Sequence, residues 1–296
     1  MPQRRPLIAV TLLPLLALAA CGAPTDGGGA QPGSPAGPGT SVSSPPAECH
    51  KSRLDVTHPG RLTIGTDKPA YEPWFVGDDP STGKGYESAV AYAIADQLGF
   101  EKSEVTWVDV PFNTAISPGP KDFDLDLNQI SISDERRKAV DFSTGYYTVR
   151  QAVVTYKGSP IEGRTTVRDL ADARLGAQVG TTSYTAITSQ IEPTTAPNAY
   201  DTNDLAVQAL KNHQIDGLVV DLPTAFFMTG AQLEDGVIVG QLPQSGGRPE
   251  QFGAVLDKGS SLTACISQAV DALREEGTLA DLEQTWLKDQ GAPELQ

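Results

Sequence analysis

From Arg61 onward the chain alternates short apolar runs with segments whose apolar residues recur at helical spacing. Leu62-Thr63-Ile64-Gly65-Thr66 reads as a first strand, since a run of about four to eight apolar and β-branched residues favours a buried extended segment. Glu87 to Leu98 places Val90, Ile94 and Leu98 on one helical face, and Gly99 follows as a C-cap. Further strands are expected at Val105-Thr106-Trp107-Val108, within Phe123 to Ile132, and at Ala152-Val153-Val154-Thr155-Tyr156. A second series then begins with a short helix over Thr166 to Ala171, a strand over Leu175 to Val179 and a helix start over Ser183 to Gln190. A helix over Asn203 to Lys211 is capped by Asp201 or Thr202. Gly217-Leu218-Val219-Val220 is a strand ending on Asp221, and Phe252-Gly253-Ala254-Val255-Leu256 is another. Helices over Ser261 to Glu275 and Leu279 to Lys288 complete the pattern.

Strands alternating with helices point to an α/β fold. The order reads as one α/β lobe, a strand leaving it, a second α/β lobe and a strand returning. The crossings are expected near Val149 to Val154 and near Gln251 to Val255. Two lobes joined by paired crossing strands form a hinge, and hinge closure traps ligands. The boundaries fall at 48–149 for the first part of lobe 1, 150–250 for lobe 2 and 251–296 for the second part of lobe 1.

Ahead of this region the composition changes twice. Arg4-Arg5 precedes an apolar run from Leu7 to Ala20, which describes an export signal over 1–20. The run is short of the ~20 residues that span a bilayer, and Pro14 interrupts it. Residues 21–47, with Gly27-Gly28-Gly29, repeated Pro-Gly and Ser-Val-Ser-Ser-Pro-Pro, form a flexible linker. Leu18-Ala19-Ala20-Cys21-Gly22 resembles the bacterial lipoprotein box, which implies a diacylglycerol on Cys21 and a protein tethered outside the cytoplasm. The plainer alternative is an ordinary signal peptide with a cysteine near its end.

About 245 residues remain for folding, comfortable for two lobes. A net charge of -15 excludes nucleic acid as a partner and argues against adhesion to anionic headgroups. His50, His58 and His213 lie apart, with no metal-ligand spacing, and no cofactor motif is present. With Cys21 lipidated, Cys49 and Cys265 remain as an even pair in an oxidising compartment. They form either a disulfide or two buried thiols. The disulfide would close a loop of 216 residues, adding at most about 4 to 5 kcal/mol by chain entropy.

Polar side chains gather where the expected strands end, which is where open α/β sheets place ligands. Asp67 follows the first strand, and Asp221 ends Val219-Val220. Gly180-Thr181-Thr182-Ser183 opens a helix, whose free N–H groups suit a carboxylate. Ser131, Ser133 and Arg136 follow the third strand, and Tyr71, Trp74 and Phe112 are expected to supply flat apolar walls. No nucleophile-base-acid set and no phosphate-cradling loop occurs, so the residues suit holding a small polar molecule.

The stretches Ile64-Gly65-Thr66-Asp67, Gly85-Tyr86-Glu87 and Gln129 through Arg136 continue into Val140-Asp141-Phe142-Ser143 and Tyr146-Tyr147. With Val179-Gly180-Thr181-Thr182, Ile215 through Asp221, and Gly277-Thr278-Leu279 before Trp286, they are similar to the extracellular solute-binding proteins of ABC importers, in the polar amino acid (family 3) group. The resemblance implies a two-lobe, type II periplasmic-binding-protein-like fold that hands its ligand to a permease and its ATPase subunits, working as a monomer. It implies that Arg136 pairs with an α-carboxylate, aided by Ser131 and the Thr181 and Thr182 N–H groups. Asp221 would take the α-ammonium, Asp67 the side chain or ammonium, and Tyr71 and Phe112 the aliphatic part. Each has a plainer alternative: a surface pair for Arg136 with Asp134 or Glu135, turns for Ser131 and Asp67, helix caps for the threonines and Asp221, and core packing for the aromatics. A ligand-presenting sensor and a dehydratase-like enzyme, drafting Asp67 or Glu87 as acid, are the rival functions.

Three departures bear on the ligand. The loop after Asp67 is one residue longer than usual, displacing Tyr71. Gln129 stands where many relatives carry glycine, and Gln178 where lysine is common. Asp124, Asp126 and Asn128 alternate onto one face, which is expected to be a solvated edge.

Overall fold

The computed structural model describes residues 47–244, 248–287 and 291–296. The expected signal peptide, Cys21 and almost all of the linker lie outside the described residues. Two five-stranded sheets form the framework. The first contains β1 (Leu62–Thr66), β2 (Val105–Asp109), β3 (Leu125–Asp126), β4 (Asp141–Phe142) and, returning from late in the chain, β12 (Val255–Leu256). β5 (Tyr147–Thr148) leaves that lobe. The second sheet contains β6 (Gln151–Tyr156), β7 (Leu175–Gln178), β8 (Asn198–Tyr200), β9 (Gly217–Asp221) and β10 (Gly236–Gln241), and β11 (Gln251–Phe252) runs back.

In the first sheet β1 lies between β2 and β3, parallel to both, and β12 enters antiparallel between β3 and β4. β1 is buried along its whole length, as a central strand covered on both faces must be. Gly65 is required there: a Cβ would stand 2.5 Å from Asp126 Oδ2 and 2.9 Å from Val110 Cγ2. In the second sheet β9 is antiparallel to β6 and parallel to β7. β5 and β11 pair antiparallel, Phe252 opposite Tyr147 and Gln251 opposite Thr148. These are the two crossing strands, and the fold is the two-lobe type II arrangement.

Helices cover the sheets: α1 (Tyr86–Gln97), α2 (Phe112–Ile116), α3 (Thr182–Ala186), α4 (Asn203–Lys211), α5 (Leu222–Phe227), α6 (Thr263–Glu275) and α7 (Thr278–Trp286). α1 and α6 press Ile94, Leu98, Ile266 and Val270 onto the inner face of β1. In the second sheet, side chains alternate along the strands. Val154, Leu218 and Val220 join the α4 side, while Val153 and Val219 join the cluster with Leu175 and Ile187. Burying one such side chain contributes roughly 1.5–3 kcal/mol. Cys49 and Cys265 form a disulfide, both within the first-lobe core.

Several expectations need correction. The Asp124, Asp126 and Asn128 face is buried, because β3 is a central strand and α2 covers it. Asp124 there accepts from Thr57 N, Thr57 Oγ1 and Thr63 N. The third strand is only two residues long, since Gln129 turns the chain with a φ of 49°. The helix at Thr166 to Ala171 is a single 3-10 turn, Val167–Leu170, capped by the Thr166 hydroxyl. β8 and β10 were not anticipated: one is short and polar, and the other carries two glycines.

Candidate functional site

β1, β7 and β9 end around one cavity of about 40 Å³. Asp67, Tyr71, Phe112 and Arg136 line it from the first lobe, and Thr181, Thr182 and Asp221 from the second. Asn128, Gln129, Gln178 and Ser183 complete much of the wall.

Arg136 is buried, at 9% exposure, and its guanidinium bridges the lobes. Nη1 donates to Ser131 O at 2.6 Å and Nη2 to Gly180 O at 2.9 Å. Its guanidinium carbon lies 5.3 Å from the centre of the Phe112 ring, a cation–π distance. Burial lowers its pKa, opposed by the negative charges of Glu250 and Asp221, yet a guanidinium stays charged. Among the described residues no ion pair joins Arg136 to Asp134 or Glu135; its guanidinium bonds to carbonyls instead. Phe112 opens α2, where its N–H donates to Asp67 Oδ2 at 3.2 Å. Asp67 Oδ1 accepts from Lys68 N at 2.7 Å, so this carboxylate also forms a turn. Burial raises the Asp67 pKa, and these two N–H bonds hold it down.

Across the cavity, Thr181 caps α3, accepting from Tyr184 N at 3.2 Å while donating to Gln178 O at 2.7 Å. Asp221 precedes α5 but makes no capping bond. Its Oδ1 instead accepts from Gln151 Nε2 at 2.8 Å, and Gln151 Oε1 accepts from Ser183 Oγ at 2.6 Å. Burial pushes the Asp221 carboxyl well above its usual range; Glu250 adds to this, while Gln151 and Arg136 counteract it. Tyr71 lies beside Asp204 of α4, and burial raises its phenol pKa.

Two expected site residues are placed differently. Ser131 does not line the cavity: its hydroxyl donates to Glu250 Oε1 at 2.6 Å and lies 3.3 Å from Thr182 Oγ1. Trp74 is no wall of the pocket. It is fully buried, packed edge-on against Tyr86, Tyr147 and Phe252, and donates Nε1 to Thr224 Oγ1.

Sequence reasoning missed Gln151 and Glu250. Both sit beside the crossing strands and line a larger cleft of about 810 Å³, and they reach the site through Asp221 and Ser131. The available signal was a polar residue heading the apolar run Ala152-Val153-Val154. Beneath the cavity, fully buried Glu87 accepts from Gln129 N at 2.8 Å, from Gln129 Nε2 and from the Tyr146 hydroxyl. Burial pushes its carboxyl up to about 7 against those bonds. Asp126 is equally buried, with neither oxygen partnered among the described residues, and burial raises its pKa too. Among the described residues no three His, Cys, Asp or Glu side chains are grouped to hold a metal ion.

The site can therefore hold an anion at Arg136 and the α3 N-terminus, and a cation at Asp221 and Asp67, within one cavity. Known proteins share this framework. The chain is 29% identical over 236 residues to the L-cystine-binding protein TcyJ of Escherichia coli (strain K12), covering 78% of this chain and 84% of the relative. It is 27% identical to the arginine-binding extracellular protein ArtP of Bacillus subtilis (strain 168), covering 76% and 86%. A crystal structure of an ABC uptake transporter substrate binding protein from Streptococcus pneumoniae with bound histidine superposes with a TM-score of 0.63 at 28% identity, covering 79% of this chain and 94% of that one. The family model of bacterial extracellular solute-binding proteins, family 3, matches residues 62–289, and the chain belongs to that family.

Proposed function

We propose that this protein captures an amino acid in the interlobe cavity by hinge closure and delivers it to an ABC permease. The observation that carries the reading is the placing of Arg136 and Asp221, from opposite lobes, on one cavity. The α-carboxylate of a zwitterion takes the remaining guanidinium donors of Arg136 and the N–H groups at Thr181 and Thr182. The α-ammonium takes the free oxygen of Asp221. Both ends are satisfied only when the lobes are shut, so the ligand shifts the hinge equilibrium toward closure. Tyr71 and Phe112 flank the aliphatic carbons, and Asp67 faces the side chain. Ser131 acts indirectly, through its carbonyl on Arg136. Relatives named for cystine, arginine and histidine support an amino acid and leave the side chain open.

The protein works as a binder, not an enzyme. Glu87, whose buried carboxyl is pushed up to about 7, is engaged by three donors and does not line the cavity. It acts as a monomer, tethered to the cell membrane through Cys21 and its linker, with lobe boundaries at 149/150 and 250/251. The expectation that all of 251–296 belongs to lobe 1 is corrected at the C-terminus, where Pro293 and Leu295 bond to Gln241 and Gln296 bonds to Thr165 and Val167 of the second lobe. Titration calorimetry of the full chain with the twenty amino acids tests capture: at least one binds at micromolar affinity or better, and silence across the panel rejects the reading. Release of a Cys21→Ser variant into the medium tests the tether.

A further inference from the structure

One side chain joins the two contacts that the second lobe offers the proposed ligand. Gln151 opens β6 and stands directly across from Asp221 in the β6–β9 pairing. It is buried, at 5% exposure. Its Nε2 donates to Asp221 Oδ1 at 2.8 Å, and its Oε1 accepts from Ser183 Oγ at 2.6 Å. The same nitrogen lies 3.4 Å from each carboxylate oxygen of Glu250.

These bonds fix which way the amide faces. An ionised carboxylate only accepts, so Gln151 must present its NH₂ group to Asp221 and its oxygen to Ser183. The Ser183 hydroxyl gives its one hydrogen to Gln151, which locks the amide in that sense. Glu250 is held in turn by the Ser131 hydroxyl at 2.6 Å. Two carboxylates therefore flank one neutral donor, and among the described residues no other side chain donates to Asp221. Burial, Glu250 and Glu87 work against an ionised Asp221, while Gln151 and Arg136 oppose them.

We infer that Gln151 is a positioning residue: it separates the Asp221 and Glu250 carboxylates and ties Asp221 to Ser183, so that the free Asp221 oxygen faces the cavity as an anion. Ser183 adjoins the Thr181 and Thr182 N–H groups, so Gln151 also sets the spacing between the places of the α-ammonium and the α-carboxylate. The inference rests on amino acid capture as proposed above and names the group that makes capture depend on the ligand's positive charge. Without Gln151 two like charges meet with no donor between them, and Asp221 becomes neutral by taking a proton. A protonated Asp221 still bonds a hydroxyl but loses its charge-assisted pairing with an ammonium.

Calorimetry of the full chain with the tightest-binding of the twenty amino acids, and competition by the α-hydroxy acid of the same side chain, tests this. The hydroxyl keeps a hydrogen-bond donor and lacks the charge. The natural protein prefers the amino acid by about thirtyfold or more. In Gln151→Leu, which removes the amide, that preference falls about tenfold. Ser183→Ala, which frees the amide to turn, lowers it about threefold, and Ser183→Thr, which keeps the hydroxyl, restores most of it. The preference, unlike absolute affinity, does not move if Gln151 only packs the start of β6. An unchanged preference in Gln151→Leu, or in Ser183→Ala where Gln151→Leu does not fold, overturns the inference and leaves capture standing. So does a natural protein that binds the hydroxy acid as tightly as the amino acid. Binding of no amino acid at all overturns capture and this inference together.

Discussion

The Trp74 indole N–H donates to Thr224 Oγ1 at 3.1 Å, joining the core of one lobe to the first turn of α5 in the other. Both residues are buried, and the bond runs from one lobe to the other, so it is expected to favour the shut form. Thr224→Val keeps the shape and removes the acceptor. A buried bond of this kind is worth about 1 kcal/mol, so affinity for the ligand falls about fivefold. The loss appears in the dissociation rate measured by stopped flow; a change confined to association contradicts this role.

Arg136 and Asp221 carry the two ends of the proposed ligand. Arg136→Lys replaces a fork that bridges two carbonyls with a point charge. Truncating one partner of a desolvated charge pair costs about 2–5 kcal/mol, so Arg136→Ala and Asp221→Ala each weaken binding by well over tenfold. Arg136→Lys falls between natural protein and Arg136→Ala. Calorimetry alongside unchanged far-ultraviolet circular dichroism checks both points.

Stability of the ligand-free protein falls as pH rises through neutrality. The Glu87 carboxyl titrates near 7 in the fold against an ordinary 4.5, so between these values the folded state holds a proton that the unfolded chain has lost. Its contribution is full below pH 4.5 and declines up to pH 7, by about 3 kcal/mol at most. Asp126 and Asp221 act in the same direction. Asp141 and Asp216, with lowered pKa values, lose their contribution as pH falls through those values, which keeps the optimum mildly acidic. The melting temperature is higher at pH 5.5 than at pH 8, and Glu87→Gln flattens the difference. A midpoint that climbs toward pH 8 rules this out.

Cys49 and Cys265 lie in one core cluster, so their bond stabilises the first lobe without linking it to the second. Cys49→Ala with Cys265→Ala lowers stability by about 2–4 kcal/mol. Ligand affinity below the melting transition changes less than twofold, as read by calorimetry.

Much of this architecture was legible because apolar periodicity tracks buried faces: Leu62 to Thr66 and Gly217 to Asp221 became strands where the pattern put them. Arg136, Asp67 and Asp221 stood out as charged residues at strand ends, and all three reach the cavity. Side-chain direction was not legible. The Ser131 hydroxyl turns to Glu250, far along the chain, and Trp74 turns inward to three aromatic rings. Whether Asp126 met water or protein depended on β12, a late segment that pairs beside β3. Such outcomes are set by tertiary packing, which local spacing does not encode.

The antiparallel pairing of Tyr147–Thr148 with Gln251–Phe252 binds two of the passages between the lobes to one another, and the C-terminal Pro293, Leu295 and Gln296 are in turn fastened to Gln241 and Thr165 of the second lobe. A torsion applied to either strand is shared by its neighbour. A reporter pair with one label per lobe is therefore expected to register ligand-driven shutting as a shortened distance, and an unchanged distance counts against a hinge.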